Sequence, residues 1–406
     1  MASTIARMRP VARIGSQARY FSSSLRLDAA AKVQRLGVIG AGQMGLGIAL
    51  VAAQKAQVPV TVVDTSEASL KRGIAFAEKL LAKDVAKSRI TQEQADHARS
   101  LLTPVNSLDK LSDVDFVIEA VPEIPKLKFD IFAQLAEICP KHAILATNTS
   151  SISITSIAAA TTKNPTDTSA SSRVVSTHFM NPVPVQKGVE IISGLQTSQD
   201  TLDTAIEFCR AMGKITSVSA DSPGFLANRI LMPYINEAVI CLETAVGDRD
   251  SIDAIMKNGT NVPMGPLQLA DFIGLDTISG LQTSQDTLDT AIEFCRAMGK
   301  ITSVSADSPG FLANRILMPY INEAVICLET AVGDRDSIDA IMKNGTNVPM
   351  GPLQLADFIG LDTCLAIMKV LHEETGDSKY RPSVLLRKMV DAGWLGKKSG
   401  KGFYDY

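Results

Sequence analysis

The 406-residue chain predicts an α/β domain built on a parallel sheet, followed by an all-α domain part of which is duplicated. Three observations predict this. Short apolar runs alternate with helical stretches over the first half, which is the pattern of a parallel sheet covered on both faces. A glycine-rich turn, Gly40-Ala41-Gly42-Gln43-Met44-Gly45, stands between the first run and the first helical stretch. Beyond about residue 220 the apolar residues recur only at helical spacing.

The elements follow in order. Val33 to Gly40 predicts a strand, Ala-rich Met44 to Gln57 a helix, and Val58 to Asp64 a second strand, a βαβ unit of ordinary length. Glu67 to about Leu102 is long and polar, with Lys and Glu on its solvent faces, and predicts two helices. Phe116 to Val121 predicts a strand, Lys126 to Ile138 a helix and Ala143 to Thr147 another strand. Arg173 to His178 and Gly188 to Ile192 predict extended segments, and the Thr/Ser/Asn/Pro stretch Thr161 to Ser172 predicts a surface loop. Ser198 to Met212 predicts a helix and Ile215 to Ser219 a last strand. In the second half Phe225, Ile230, Tyr234, Val239 and Leu242 share one broad apolar face, and Pro223-Gly224 is expected to open the first long helix.

Composition bounds the function classes. With 46% hydrophobic and 20% charged residues and a net charge of −3, disorder, collagen and a disulfide scaffold are excluded. No run of about 18 apolar residues exists to span a membrane. Residues 1–27 carry Arg7, Arg9, Arg13, Arg19 and Arg26, several Ser and no acid before Asp28, the composition of a mitochondrial transit peptide. Cleavage before Ser22 would take the net charge to −7, which argues against nucleic acid as a main partner. Six cysteines (139, 209, 241, 295, 327, 364) show no CxxC, and four scattered His suggest no metal site.

Ile192–Thr277 and Ile278–Thr363 are identical at every position, a tandem repeat of 86 residues. Solenoid repeats diverge, whereas this pair has not. Either a very recent in-frame duplication or an error in assembling the gene produces such a pair. Removing either copy leaves the same 320-residue chain, so function can be read without choosing between them. The expected division is a transit peptide (1–27), the α/β domain (28–219), a first helical copy (220–277), the repeat (278–363), and C-terminal helices and tail (364–406).

The glycine turn carries a dinucleotide-binding, Rossmann-type signature. Gly40 permits the tight turn, Gly42 lets backbone approach a pyrophosphate, and Gly45 allows close packing of helix on strand. The helix N-terminus offers free N–H groups to the phosphates. Asp64, nineteen residues after Gly45, would accept hydrogen bonds from the ribose and repel a 2′-phosphate, which favours NAD over NADP.

The blocks VIGAGQMGLGIA, VIEAVPEIPKLK, ATNTSS, THFMNPVPVQKGVEII, DSPGFLANRIL, PMGPLQLADFIGLDT and GKKSGKGFYDY, in this order, make the chain resemble the mitochondrial L-3-hydroxyacyl-CoA dehydrogenases over essentially all of residues 34–406 apart from the extra copy. On their own terms His178, ending an apolar strand, and Glu190, beyond a Pro-containing turn, can lie side by side on adjacent strands. A carboxylate there fixes the imidazole tautomer and strengthens it as a base. The resemblance implies that His178 is the general base and Glu190 its orienting partner in oxidising L-3-hydroxyacyl-CoA to 3-ketoacyl-CoA in fatty acid β-oxidation.

The resemblance further implies that Ser150 and Asn181 lie beside the nicotinamide and the substrate oxygen, and that Asn228 adds an active-site amide, its duplicate Asn314 being an equal candidate. It implies cofactor contacts from the Gly40–Gly45 turn including Ala41, Gln43 and Met44, from Asp64, Glu123 and Lys128, and from Lys398 if the tail folds back to the first domain. Lys79, Lys83 and Lys87 are candidates for the phosphates of coenzyme A, although Ala77 stands where the family often has a contacting Ser and Asp84 follows Lys83. The loop Ser153 to Arg173 is about seven residues longer than the family pattern, which loops tolerate. The helical domain forms the homodimer interface in that family, so a homodimer is expected, and an extra copy could imitate the partner subunit inside one chain. A dehydrogenase of non-CoA 3-hydroxy or sugar acids such as gulonate, or an inactive NAD-binding protein, are the alternatives.

Overall fold

The computed structural model describes residues 33–164, 166–273, 303, 305, 306 and 308–406. The expected transit peptide, Cys295 and the start of the second copy lie outside the described residues. The first domain is an eight-stranded sheet of order β3-β2-β1-β4-β5-β6-β7-β8. Its strands are β1 (Leu36–Ile39), β2 (Val60–Val63), β3 (Leu102–Val105), β4 (Phe116–Glu119), β5 (Ile144–Thr147), β6 (Val174–Phe179), β7 (Gly188–Ser193) and β8 (Ile215–Ala220). Helices α1 (Gln43–Val51), α2 (Glu67–Ala86), α3 (Gln92–Ser100), α4 (Pro125–Ile138), α5 (Ile154–Ala159) and α6 (Gln199–Ala211) flank it. The central strands are buried along their whole length, because helices close both faces and leave no solvent side to alternate towards.

Two elements escape the sequence pattern. Edge strand β3 contains Pro104 and has one buried residue in four, so it reads as polar chain. Helix α5 lies in the stretch just after Ser150 and has six residues, too few to show a period. The sheet also departs from a purely parallel one: β7 runs antiparallel to β6, and every other pairing is parallel. The link from β6 to β7 is a short turn without a helix, and only an antiparallel partner can be reached that way.

The helical part contains α7 (Ala227–Glu243), α8 (Arg249–Thr260) and α9 (Pro266–Ile273) from the first copy, and α10 (Ala313–Glu329), α11 (Arg335–Gly345) and α12 (Pro352–Ile359) from the second. Helices α13 (Leu361–Thr375) and α14 (Val384–Asp391) and the tail follow. Helix α7 starts at Ala227 and not at Pro223, because Gly224 and Phe225 adopt φ of +77° and +52°, outside the helical region.

The two copies pack by reciprocal contacts. Arg229 pairs with Glu323 at 2.7 Å, and their duplicates exchange roles, Arg315 with Glu237 at 2.9 Å. Ala220 N–H donates to Val332 O and Ala306 N–H to Val246 O, both at 2.8 Å. Tyr234 and its own duplicate Tyr320 meet ring to ring, centroids 5.5 Å apart. A contact that returns with its partners exchanged is the mark of an isologous two-fold interface, here formed within one chain. Helix α10 packs against α7 within the helical region through which a homodimer was expected. One apolar core runs through both copies, from Ile230 and Cys241 to Ile316, Cys327 and Met368.

Candidate functional site

The glycine turn closes by steric necessity. Gly40 has φ +103°, and a Cβ there would lie 2.6 Å from Ala120 O; one on Gly45 would lie 1.9 Å from Gly40 O. A Cβ on Gly42 would meet nothing within 4 Å, so open space stands before the N-terminus of α1, and Gly42 offers no side chain to cap its N–H groups. An uncapped helix start facing a cleft is a cradle for phosphate. Asp64 is tied to this turn: one carboxylate oxygen accepts Ala41 N–H and the other Ser66 N–H, each at 2.9 Å. These residues fit a dinucleotide, with Asp64 within reach of a ribose beside the turn.

Antiparallel pairing of β6 and β7 places His178 directly opposite Glu190. His178 Nδ1 and Glu190 Oε2 are 2.7 Å apart, and His178 Nε2 lies 3.0 Å from Ser150 Oγ. Glu190 is fully buried, and its second oxygen accepts the Leu226 and Ala227 N–H groups at 2.9 and 3.0 Å. These are the orphan donors at the start of α7, freed by the positive φ angles that delay the helix. The carboxylate thus finds partners for both oxygens, and the aligned peptide dipoles of α7 favour its negative charge. Asn228, one residue on, donates from Nδ2 to Ser150 O at 3.2 Å. Asn181 follows β6 at a cis Asn181–Pro182 bond and accepts from Gln43 Nε2 at 3.2 Å, which joins the nucleotide turn to the catalytic strand. The structure therefore brings Ser150, His178, Asn181, Glu190 and Asn228 together, and it uses Asn228 of the first copy, since Asn314 is not among the residues around the cavity.

Lys128 takes a different position from that expected. Lys128 is 1% exposed, its ammonium held by Glu119 at 2.7 Å, Val121 O at 3.2 Å and Glu123 at 3.3 Å. It is sealed from a cofactor and acts through the carboxylates. Glu123 accepts the Thr149 hydroxyl and the N–H groups of Ser150 and Ser151 at 2.9 and 3.1 Å, so it orders the loop that carries Ser150. Burial opposes its ionisation, but the Thr149 hydroxyl, Lys128 and the Ser150 N–H outweigh burial and hold the carboxyl below its usual value.

Lys398, expected to fold back to the first domain, is held in the helical domain. Its ammonium pairs with Asp362 at the start of α13, inside the helical domain, because the tail is anchored there by Phe403 and Tyr404 N–H groups on Asp357, each at 2.9 Å. Lys79, Lys83 and Lys87 stand exposed on or just after α2 and are not among the residues around the cavity, while Ala77 is fully buried and faces the core. Charged residues on that helix form a solvated face.

Sequence reasoning missed four supporting residues. Glu119, an acid ending the apolar strand VIE, also accepts from Thr147 at 2.8 Å and was legible as a charge in a buried run. Asn148 accepts Phe179 N–H at 2.9 Å, and Asp221 caps α5 through Ser153, Ile154 and Thr155. Lys214 reaches from the start of β8 to Val183 O and Gln186 O and pins the turn after Asn181; nothing in its local sequence marks it. Its burial pushes the ammonium down to about 8.

The site opens on a cavity of about 600 Å³ with Ser150, His178, Asn181 and Asn228 at one part and mostly apolar side chains of both helical copies, with Thr260, Thr346 and Asn347, around the rest, a size and lining suited to a small organic ligand. Among the described residues no group of His, Cys, Asp and Glu is placed to hold a metal ion, and no helix is long and apolar enough to cross a membrane.

The family model "3-hydroxyacyl-CoA dehydrogenase, NAD binding domain" matches residues 35–222, and "3-hydroxyacyl-CoA dehydrogenase, C-terminal domain" matches residues 224–300 and 310–406. A probable 3-hydroxybutyryl-CoA dehydrogenase of Bacillus subtilis is 38% identical over 375 residues, covering 92% of this chain and 98% of its own. The mitochondrial hydroxyacyl-coenzyme A dehydrogenase of Homo sapiens is 40% identical over 267 residues, 64% of this chain and 83% of its own. The crystal structure of 3-hydroxybutyryl-CoA dehydrogenase from Escherichia coli K12 superposes with a TM-score of 0.79 at 29% identity, covering 89% of this chain and 99% of that one. With its NAD-binding domain and C-terminal helical domain both matched, the chain belongs to the 3-hydroxyacyl-CoA dehydrogenase family.

Proposed function

We propose that the chain oxidises L-3-hydroxyacyl-CoA to 3-ketoacyl-CoA with NAD, as a step of fatty acid β-oxidation in the mitochondrial matrix. The carrying observation is the Ser150–His178–Glu190 relay at the cavity, beside the nucleotide turn. With Glu190 accepting the Nδ1 proton, Nε2 is left as the acceptor that faces Ser150 and the cavity. Nε2 takes the substrate hydroxyl proton, and the fully buried carboxylate stabilises the imidazolium that forms. The Ser150 hydroxyl, set 3.0 Å from the same nitrogen, holds the substrate oxygen near the base. Asn228 fixes the Ser150 loop through its carbonyl, and Asn181 presents its amide beside the turn. NAD, when bound along the Gly40–Gly45 turn, supplies the hydride acceptor. The arginine-rich, acid-free segment before Asp28 supports the matrix assignment.

The test is NADH consumption by the 406-residue protein with acetoacetyl-CoA, compared with free 3-keto acids and the keto form of gulonate. Turnover of the thioester is expected, and His178→Gln should lower it by about three orders of magnitude or more while an NADH titration stays within about twofold of wild type. Preference for the free acids, or undiminished turnover by the variant, overturns the assignment.

A further inference from the structure

The chain has two identical helical copies but one C-terminal tail, and the tail is seated on the second of them. There the corner between α11 and α12 holds the segment 396–406 through three side chains. Asp357 accepts the Phe403 and Tyr404 N–H groups, each at 2.9 Å, and Asp339 accepts the Tyr404 hydroxyl at 2.7 Å. Arg335 donates to Phe403 O at 3.0 Å, and its guanidinium lies 4.3 Å from the centre of the Tyr404 ring.

The same three residues recur on the first copy as Asp271, Asp253 and Arg249. Their corner is already folded. Asp253 accepts the Leu267 and Gln268 N–H groups at 2.8 and 2.9 Å, as Asp339 accepts those of Leu353 and Gln354 at 2.9 Å each, so α9 is tied to α8 in the way that α12 is tied to α11. What differs is the cover. Asp357 is fully buried, whereas Asp271 is exposed and accepts no hydrogen bond among the described residues. The Arg249 side chain is 63% exposed, against 40% for Arg335. None of the three first-copy residues borders the catalytic cavity.

We infer that the α8–α9 corner is a second receptor for a peptide of the tail's chemistry, occupied in trans by the C-terminal segment of a partner protein in which adjacent aromatic residues follow a lysine-rich stretch. Identical residues in an identical corner hold such a segment on the second copy, which supplies the recognition pattern. The chain's own tail is not the occupant, because moving it would empty one corner to fill the other. Charge favours the encounter: the corner presents two carboxylates, and the tail carries Lys397, Lys398 and Lys401. Backbone N–H groups of the segment then meet Asp271, its phenol meets Asp253, and Arg249 stacks on the tyrosine ring. The inference is independent of the dehydrogenase reading, since the corner lies outside the cavity.

The probe is a synthetic peptide of residues 396–406 with fluorescein at its N-terminus, titrated with the full 406-residue protein and read by fluorescence anisotropy. Saturable binding of one peptide per chain is expected. Asp271→Ala should weaken it by about tenfold or more and Arg249→Ala several-fold, and a peptide carrying Tyr404→Phe should bind several-fold more weakly to the wild-type chain. Both substituted protein side chains are exposed, so the melting temperature of each variant should match that of the wild type. Absence of binding at concentrations up to about 1 mM overturns the inference. So does an affinity unmoved by the Asp271 and Arg249 variants, as when the peptide merely displaces the chain's own tail from Asp357.

Discussion

Replacing Glu190 by Gln tests whether the relay works by charge and tautomer and not merely by shape. The carboxylate accepts on both oxygens, His178 Nδ1–H on one side and the two N–H groups of Leu226 and Ala227 on the other. An amide has one acceptor and one donor end, so it satisfies both sides only if His178 changes tautomer. If its oxygen stays with Leu226 and Ala227, its NH2 donates to Nδ1, the proton moves to Nε2, and the base is lost. If its oxygen turns to His178, three donors meet at the start of α7 with no acceptor. The first orientation keeps both backbone hydrogen bonds and adds one to Nδ1, so it should dominate. Losing the correct tautomer and the charge that stabilises the imidazolium should lower kcat by about 10³- to 10⁴-fold, equivalent to about 4–5.5 kcal/mol. NADH affinity and KM for acetoacetyl-CoA should stay within a few fold, because no binding group moves. Loss of the charged acceptor at a buried helix start should also cost about 1–3 kcal/mol of stability. Steady-state NADH oxidation and urea unfolding read the two effects separately. A Glu190→Gln enzyme within tenfold of wild-type kcat would refute the reasoning.

Two further outcomes follow from the buried charges. Lys128→Met leaves Glu119 fully buried without its cation, and urea unfolding should show a loss of about 3–5 kcal/mol, with turnover falling less than in a His178 variant; a near-neutral substitution would remove the ion pair from the fold's support. Lys214, lowered to about 8 from an ordinary value of 10.5, titrates in the folded protein before it does in the unfolded chain. Between these values the unfolded chain binds more protons, so the contribution of Lys214 to stability rises as pH increases from 8 towards 10.5 and is lost as pH falls through 8. The unfolding free energy of wild type relative to Lys214→Met should increase over that window by on the order of 2–3 kcal/mol, and a pH-independent difference would show that the ammonium is not held in a desolvated place.

Local physics makes much of this protein readable in one dimension. An apolar run that ends in Gly40 and opens a helix has few folds available, because Gly40 needs φ +103° and Gly45 must touch the backbone of Gly40. Strands buried on both faces announce themselves as unbroken apolar runs, and so β1, β2, β4, β5 and β6 were legible, as was the acid at Asp64 and the His178–Glu190 pairing across a short turn. Edge strand β3 and the six-residue α5 carry no period to read.

Tertiary structure decided the rest. Only packing chose between Asn228 and Asn314, since an identical sequence contains no information about which copy meets Glu190. Only packing sealed Lys128 beneath the loop it was expected to help bind a cofactor, and held Lys398 on Asp362. Charge and residue type are properties of a sequence, but the partner of a long flexible side chain depends on which distant backbone lies within its reach. The same distinction governs the duplication: the sequence determined that two copies of α7 exist, and the fold determined that they pair with each other, burying the apolar face that each carries in one shared core.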